Sequence, residues 1–197
     1  MRDDGSDDGG DDDLQWRLGT RTPGADYRVF RTSFVDGTHA RAGTKRFSLI
    51  EAVDWVNVIA LTPADEVVLI RQYRIGIEKV CLEIPGGMVD DGEDARTAAA
   101  RELAEETGYT SSDWRLLGKV SPNPAIQNNY LHTYLALDAR RTTGQRLDGS
   151  EVVTVETRSL AQVTEALRRG EIEHALVVTA FAHLAFQLTD LRREPAR

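Results

Sequence analysis

The sequence predicts an α/β fold: an α/β/α sandwich with a mixed β-sheet and an N-terminal β-hairpin extension. Three observations carry this. Strand-like segments come first, one helix interrupts them, more strands follow and two helices come last, an order that suits helices on both faces of a sheet. Val53–Leu61 is a nearly continuous apolar run, as strands buried on both faces are. Ala95–Thr107, set on a wheel at about 100° per residue, gathers Ala100, Leu103, Ala104 and Thr107 on one face and Glu102, Glu105 and Glu106 on the other.

The elements follow in order. Residues 1–13 mix Asp with Gly and Ser and read as a disordered acidic tail, either solubilising or an interaction tail. Order begins near Leu14–Trp16, so 14–50 forms the β extension and 51–197 the main domain. Tyr27–Val35 alternates as a strand, Asp36-Gly37 is a hairpin signal, and Ala40–Leu49 is the partner strand. Beyond Val53–Leu61, Pro63-Ala64-Asp65 turns the chain into the strand Glu66–Tyr73. Cys81–Ile84 is a short strand leading to Pro85-Gly86-Gly87 and the helix. Trp114–Val120, Leu131–Leu137 and Val152–Arg158 are further strands, and Leu160–Arg169 and Ile172–Leu191 are helices punctuated by Gly170.

Composition narrows the class. A chain of 197 residues with 41% hydrophobic content holds one domain with a sizeable core. No apolar run is long enough for a membrane span, and no signal-peptide pattern opens the chain. The single cysteine, Cys81, follows Val80 in an apolar stretch and reads as a buried thiol, not a nucleophile. These features suit a cytoplasmic setting. A net charge of −8 argues against a non-specific nucleic-acid binder.

Function rests on Gly87–Tyr109, where a Gly-rich turn runs into the carboxylate-bearing helix. Glu102 and Glu106 are one turn apart and can reach one ion cluster, while Glu105 beside them can hold a second ion directly or through water. Such a set suits hard, oxygen-seeking cations such as Mg2+. Taken alone, the three glutamates better describe a solvated helix face with i, i+4 pairs, and only the full pattern around them reverses that. Gly108 suits the left-handed residue that ends a helix. Gly86 and Gly87 let backbone approach a metal or phosphate closely.

This segment resembles the Nudix box, G-x5-E-x7-R-E-U-x-E-E-x-G-U, where U is aliphatic. Gly87, Glu93, Arg101, Glu102, Leu103, Glu105, Glu106 and Gly108 fall on the pattern, and Tyr109 takes the last aliphatic place. The resemblance implies the Nudix α/β/α sandwich. It also implies a hydrolase that attacks phosphorus of a nucleoside diphosphate derivative with water, using Mg2+ or Mn2+. By the same resemblance the Gly86 carbonyl, Glu102 and Glu106 bind metal and Glu105 assists. Glu93 and Arg101 would hold the loop–helix–loop together as an ion pair without touching substrate.

Further residues resemble the ADP-ribose and nucleotide-sugar pyrophosphatase branch: Arg71-Gln72-Tyr73-Arg74, then Glu83-Ile84-Pro85-Gly86-Gly87, then Pro124. The resemblance implies that Arg74 approaches the diphosphate or adjoining sugar, where its planar fork suits phosphate oxygens. The other reading of Arg74 is a surface arginine flanking a strand. The resemblance also implies an upstream strand pair exchanged in a homodimer, here within 14–50. Amides of the loop Ser121–Asn129, with Gln127 and Asn128 foremost, can donate to sugar hydroxyls or a base, or can cap an ordered turn. This loop carries no acidic residue, which leaves room for sugars of the GDP-mannose type. Tyr130, His132 and Tyr134 share one strand face, as a stacking wall or as packing. Glu151 falls where the branch places a late metal ligand or base, so the general base is Glu151 or a box glutamate, and Asp148 beside it reads as a polar turn.

The expected activity is therefore Mg2+-dependent hydrolysis of a nucleoside diphosphate sugar, ADP-ribose or GDP-mannose in type, to a nucleoside monophosphate and a sugar phosphate. The alternatives are hydrolysis of dinucleoside polyphosphates or other nucleoside diphosphate derivatives, and a non-catalytic nucleotide-sugar sensor.

Overall fold

Residues up to Ala52, together with Asn123–Asn128, form an antiparallel β unit. The structure, a computed structural model, describes residues 12–149 and 151–193, so the expected acidic tail falls largely outside the described residues. Strands β1 (Arg17–Leu18) and β2 (Thr22–Asp26) pair with β3 (Arg31–His39), which pairs along its whole length with β4 (Gly43–Glu51). Thr32 Oγ1 accepts the Ala25 N–H at 2.9 Å where the β2–β3 register slips. The loop segment joins this unit through Ile50 N–H, which donates to Ile126 O at 2.7 Å.

The hairpin is present, but its turn is not at Asp36-Gly37. Those residues pair with Arg46 and Lys45 in mid-strand, and the chain reverses at Ala40–Ala42 instead. Gly37 answers to packing: a Cβ there would lie 2.9 Å from the Phe47 ring and 3.2 Å from the Trp16 ring. Trp16 meets Phe47 edge-on at 5.0 Å, so the glycine admits an aromatic pair.

The second unit, Val53–Pro122 with Asn129 onward, holds the rest. In chain order it comprises β5 (Trp55–Ala60), β6 (Glu66–Arg74), β7 (Lys79–Glu83), β8 (Gly86–Met88), α1 (Ala95–Thr107), β9 (Tyr109–Thr110), β10 (Asp113–Val120), β11 (Leu131–Leu137), β12 (Arg140–Arg141), β13 (Val153–Ser159), α2 (Leu160–Arg168) and α3 (Ala175–Arg193). One sheet runs β10-β11-β5-β8 and is mixed, with only β11–β5 parallel. A second runs β13-β6-β7, all antiparallel, and β9 pairs with β12.

The apolar runs split their side chains between two cores. Ile59, Val67, Leu69, Leu82 and Ile84 pack under α2 and α3 with Val163, Val177 and Phe181. Val56, Val58, Ala60 and Val68 pack against α1 with Ala98, Ala99 and Leu103. Strands alternate faces residue by residue, so one apolar strand feeds both layers. Helices on both faces make the three-layer α/β/α sandwich that the element order predicts. Helix α2 starts in a reciprocal capping box between Ser159 and Gln162. The last helix starts at Ala175, later than the expected Ile172, because the chain ahead of it is held by side chains: Ile172 is buried and Glu173 pairs with Lys79 at 2.9 Å. Among the described residues no helix is long and apolar enough to cross a membrane.

Candidate active site

Two glycines bring the β7–β8 turn against its neighbours. Pro85 O accepts the Val58 N–H at 2.9 Å, so the turn is pinned to β5. A Cβ at residue 86 would run into Val56 O, and one at residue 87 into the Glu102 carboxylate. Residue 86 therefore excludes any side chain, because it meets backbone, while a side chain at 87 would push the Glu102 carboxylate from its place. The next turn delivers α1. Asp94 caps it by accepting from Arg96 N–H and Thr97 N–H at 3.0 and 3.1 Å. Gly108 ends it at φ 75°, and a Cβ there would also strike Thr143 O.

Arg101 organises the loop–helix junction. It grips Glu93 with two bonds of 3.1 and 3.0 Å, donates to Glu102 at 2.9 Å and Glu105 at 3.2 Å, and reaches Met88 O at 2.9 Å. The expected Glu93–Arg101 pair is thus part of a four-partner hub. The fork of Arg101 keeps the Glu93 carboxyl below its ordinary range.

The expected division of α1 into a packed face and an acidic face needs correction at Glu106. Its side chain is 3% exposed, alongside Leu103 and Thr107, while Ala100 and Ala104 are only half-buried. The helix repeat puts residue 106 one turn from 103, so it faces inward. Gly86 N–H donates to Glu106 Oε2 at 2.8 Å. Burial pushes the Glu106 carboxyl up to about 8, against the pull of that bond, and the Glu102 and Glu151 charges push the same way. Glu102 is raised too, again first by burial. Glu151 lies on the turn that starts at Asp148, whose carbonyl accepts the Glu151 N–H at 3.1 Å. The loop before it runs beside α1: Arg146 N–H donates to Glu105 O at 2.8 Å, and Gln145 Nε2 to Glu106 O at 2.7 Å.

Arg74 lies within electrostatic reach of Glu106. Its Nε and Nη2 hold Glu83 at 2.7 and 2.6 Å, with the Glu83 side chain 3% exposed and that of Arg74 41% exposed. Glu83 raises the Arg74 pKa above its ordinary value, and the field of Glu106 adds to it. His174, just before α3, feels both members of the pair, and burial lowers its pKa. Glu83 enters the sequence reading only as part of the branch motif, without a role, and His174 not at all. A lone acid in the apolar strand Val80–Ile84 was a usable signal for Glu83; nothing local marks His174.

The remaining candidates are placed elsewhere. Gln127 bridges to Ile50, and Asn128 Oδ1 accepts the Ala52 N–H at 3.1 Å, both inside the N-terminal unit. Tyr130 precedes β11 and lies under Lys119 Nζ at 4.0 Å, His132 pairs with Asp54 at 2.9 Å, and Tyr134 packs against Trp114. They do not form one wall. Cys81 is buried, and burial raises its thiol, as expected of a structural cysteine.

Among the described residues no three acids or histidines already converge as a metal cage. The donor set nonetheless fits Mg2+. It offers carboxylate oxygens, and Mg2+ takes one or two of these and keeps its waters. Burial raises both Glu102 and Glu106, and the Glu102 charge raises Glu106 further, so a divalent cation would relieve a crowding that Arg101 offsets at Glu102 alone by direct contact.

Residues 53–181 match the model of the NUDIX domain. The chain belongs to the Nudix hydrolase family. Gly87–Tyr109 is its Nudix box, and the three-layer unit is its Nudix fold. Among relatives, it is 29% identical over 161 residues to a methanol dehydrogenase activator of Bacillus methanolicus, covering 81% of this chain and 87% of the relative. It is 29% identical over 130 residues to an ADP-ribose pyrophosphatase of Bacillus subtilis, covering 66% and 70%. A crystal structure of an ADP compounds hydrolase superposes with a TM-score of 0.78 at 24% identity, over 91% of this chain and 97% of that one.

Proposed function

We propose that this Nudix hydrolase splits the diphosphate of a nucleoside diphosphate sugar, of ADP-ribose or GDP-mannose type, into a nucleoside monophosphate and a sugar phosphate. The observation that carries the reading is that Arg74, held by Glu83 through two donors, lies within electrostatic reach of buried Glu106, which is bonded to the Gly86 backbone. A guanidinium with a free donor near a carboxylate cluster suits a diphosphate and its cation. The pyrophosphatase relatives support the same substrate class.

Mg2+, or Mn2+ in its place, would be held by Glu102, Glu106 and the Gly86 carbonyl, with Glu105 assisting, and would supply charge neutralisation and a more acidic water. The protein's own residues do the positioning. Gly86 N–H fixes the Glu106 carboxylate, and Arg101 fixes Glu102 and Glu105. Glu83 takes two donors of Arg74, so the guanidinium presents Nη1 to phosphate oxygens in one orientation. Water attacks one phosphorus, the bond to the bridging oxygen breaks, and the water proton passes to a carboxylate, Glu151 or a box glutamate. Glu93, Arg101, Gly87 and Gly108 are proposed to act only through structure.

Residues 14–50 are proposed as the dimerisation element of a homodimer. Leu14, Leu18, Tyr27 and Val29 expose more than half their surface there, which supports an apolar partner surface. We place the enzyme in the cytoplasm, where a lone reduced thiol is stable.

A substrate panel tests the assignment: ADP-ribose, GDP-mannose, UDP-glucose, NADH and diadenosine polyphosphates, with products identified by mass. Fastest Mg2+-dependent turnover of a nucleotide sugar to two monophosphates is expected. Preference for a dinucleoside polyphosphate, or no hydrolysis of any member, would overturn it.

A further inference from the structure

Away from the acidic site, one row of residues crosses the mixed sheet in register. Gly118 on β10 pairs with Thr133 on β11, Thr133 with Asn57 on β5, and Asn57 with Gly86 on β8. Paired residues share a face, and here it is the face covered by α3. Asn57 Nδ2 donates to Leu176 O on α3 at 3.1 Å. A Cβ at Gly118 would lie 2.5–2.7 Å from three atoms of the His183 ring, so the imidazole of α3 sits where that side chain would be.

This row is polar where its neighbours are not. Thr133 is fully buried and Asn57 is 6% exposed. Asn57 Oδ1, Thr133 Oγ1 and His183 Nε2 are all buried without a protein hydrogen-bond partner among the described residues. A buried orphan hydroxyl or amide oxygen costs about 1–3 kcal/mol, and such atoms are normally satisfied by protein or internal water. Two of them, on Thr133 and Asn57, hold adjacent places of the row, and the third, on His183, comes from α3 over the next place at Gly118, so together they offer the two to four polar partners one water requires.

We propose that the Asn57–Thr133–His183 seam is a binding site for ordered internal water, bridging α3 to the sheet. Thr133 Oγ1–H donates to the water, the water donates to Asn57 Oδ1, and His183 Nε2 takes whichever role its tautomer leaves. Gly118 belongs to the site because only its bare backbone lets the imidazole reach the row. The row ends on Gly86, so Asn57 joins two structures: its side chain faces the water and its backbone is paired to the glycine of the acidic site. The seam stands whether or not the proposed substrate is right.

A crystal structure of the unaltered protein at high resolution tests it first. A water peak within hydrogen-bond distance of Thr133 Oγ1 and of Asn57 Oδ1 or His183 Nε2 is expected; a dry seam overturns the proposal. Oxygen-17 relaxation dispersion gives a second reading in solution. Thr133→Val should remove the signal of about one long-lived water and lower Tm by a few degrees, while Thr133→Ser keeps both. An unchanged water signal with a raised Tm in Thr133→Val would mean that the hydroxyl was unsatisfied and the seam empty of water.

Discussion

Arg101 and Arg74 are both held by a glutamate through two donors, yet the two regions around them differ in what is left over. At the loop–helix junction, Arg101 also binds Glu102, Glu105 and Met88 O, so its fork is saturated. On the β6–β7 hairpin, Glu83 occupies only Nε and Nη2 of Arg74, and the arginine side chain is 41% exposed against 27% for Arg101. A saturated guanidinium fixes geometry. One with a free donor and an accessible face can still bind an anion. The comparison divides the site into a scaffold and a reading head, and Glu106 feels the field of the second.

The largest effect is expected at Glu106 itself. Glu106→Gln keeps the shape and an oxygen for Gly86 N–H but removes the charge. Turnover should fall on the order of 10²–10³-fold, as when one electrostatic stabiliser is removed, while Tm without metal holds at neutral pH, because a carboxyl pushed up to about 8 is largely protonated there and Gln is its neutral isostere. Near-normal turnover with Mg2+ would break the division, since the buried carboxylate that Arg74 acts on would then be idle. Next is Arg74→Lys, which retains a cation for buried Glu83 but loses the fork. We expect kcat/KM to fall about ten- to a hundredfold, roughly 1.4–2.7 kcal/mol, with little change in Tm. A loss of Tm without a loss of kcat/KM would make Arg74 a second scaffold arginine.

Arg101→Lys should reverse that pattern. One ammonium cannot span Glu93 and Glu102 and also reach Met88 O, so about 1.5–3 kcal/mol of stability is expected to go. Chemical denaturation measures it, and activity at saturating metal should fall less than in Arg74→Lys.

The scaffold was far more legible in sequence than the reading head, and the reason is distance along the chain. Arg101, Glu105 and the cap Gly108 lie within one helix, where spacing places them, and the Glu93–Arg101 pair follows from the resemblance to the Nudix box, whereas the Asp94 cap is seen only in the structure. The Arg74–Glu83 pair depends on the β6–β7 register, in which Arg74 lies opposite Lys79 and Glu83 opposite Ile70. His174 depends on where α3 docks. Glu106 was assigned to the acidic face because a wheel has no depth; tertiary packing buried it. Asp36-Gly37 misled for a related reason, since Gly37 makes room for Trp16 and Phe47, which the chain brings together from either side.

The smallest effect is also the one that isolates the Glu93–Arg101 pair. Arg101 holds the Glu93 carboxyl below its ordinary range, chiefly through its hydrogen bonds. A lowered folded-state pKa contributes stability that is present above the unfolded value, about 4.3, and is lost as pH falls through the folded value. Wild type should therefore exceed Glu93→Gln in stability by a constant margin at neutral pH, and the margin should close as pH drops below about 4.3. Denaturation midpoints of both proteins across the acid range give the test. A gap that persists unchanged to the lowest pH would show that Gln packs badly at 93 and that the charge on Glu93 contributes nothing. Arg101 would then owe its place to Glu102, Glu105 and Met88 O alone, and the scaffold would be the helix, not the loop.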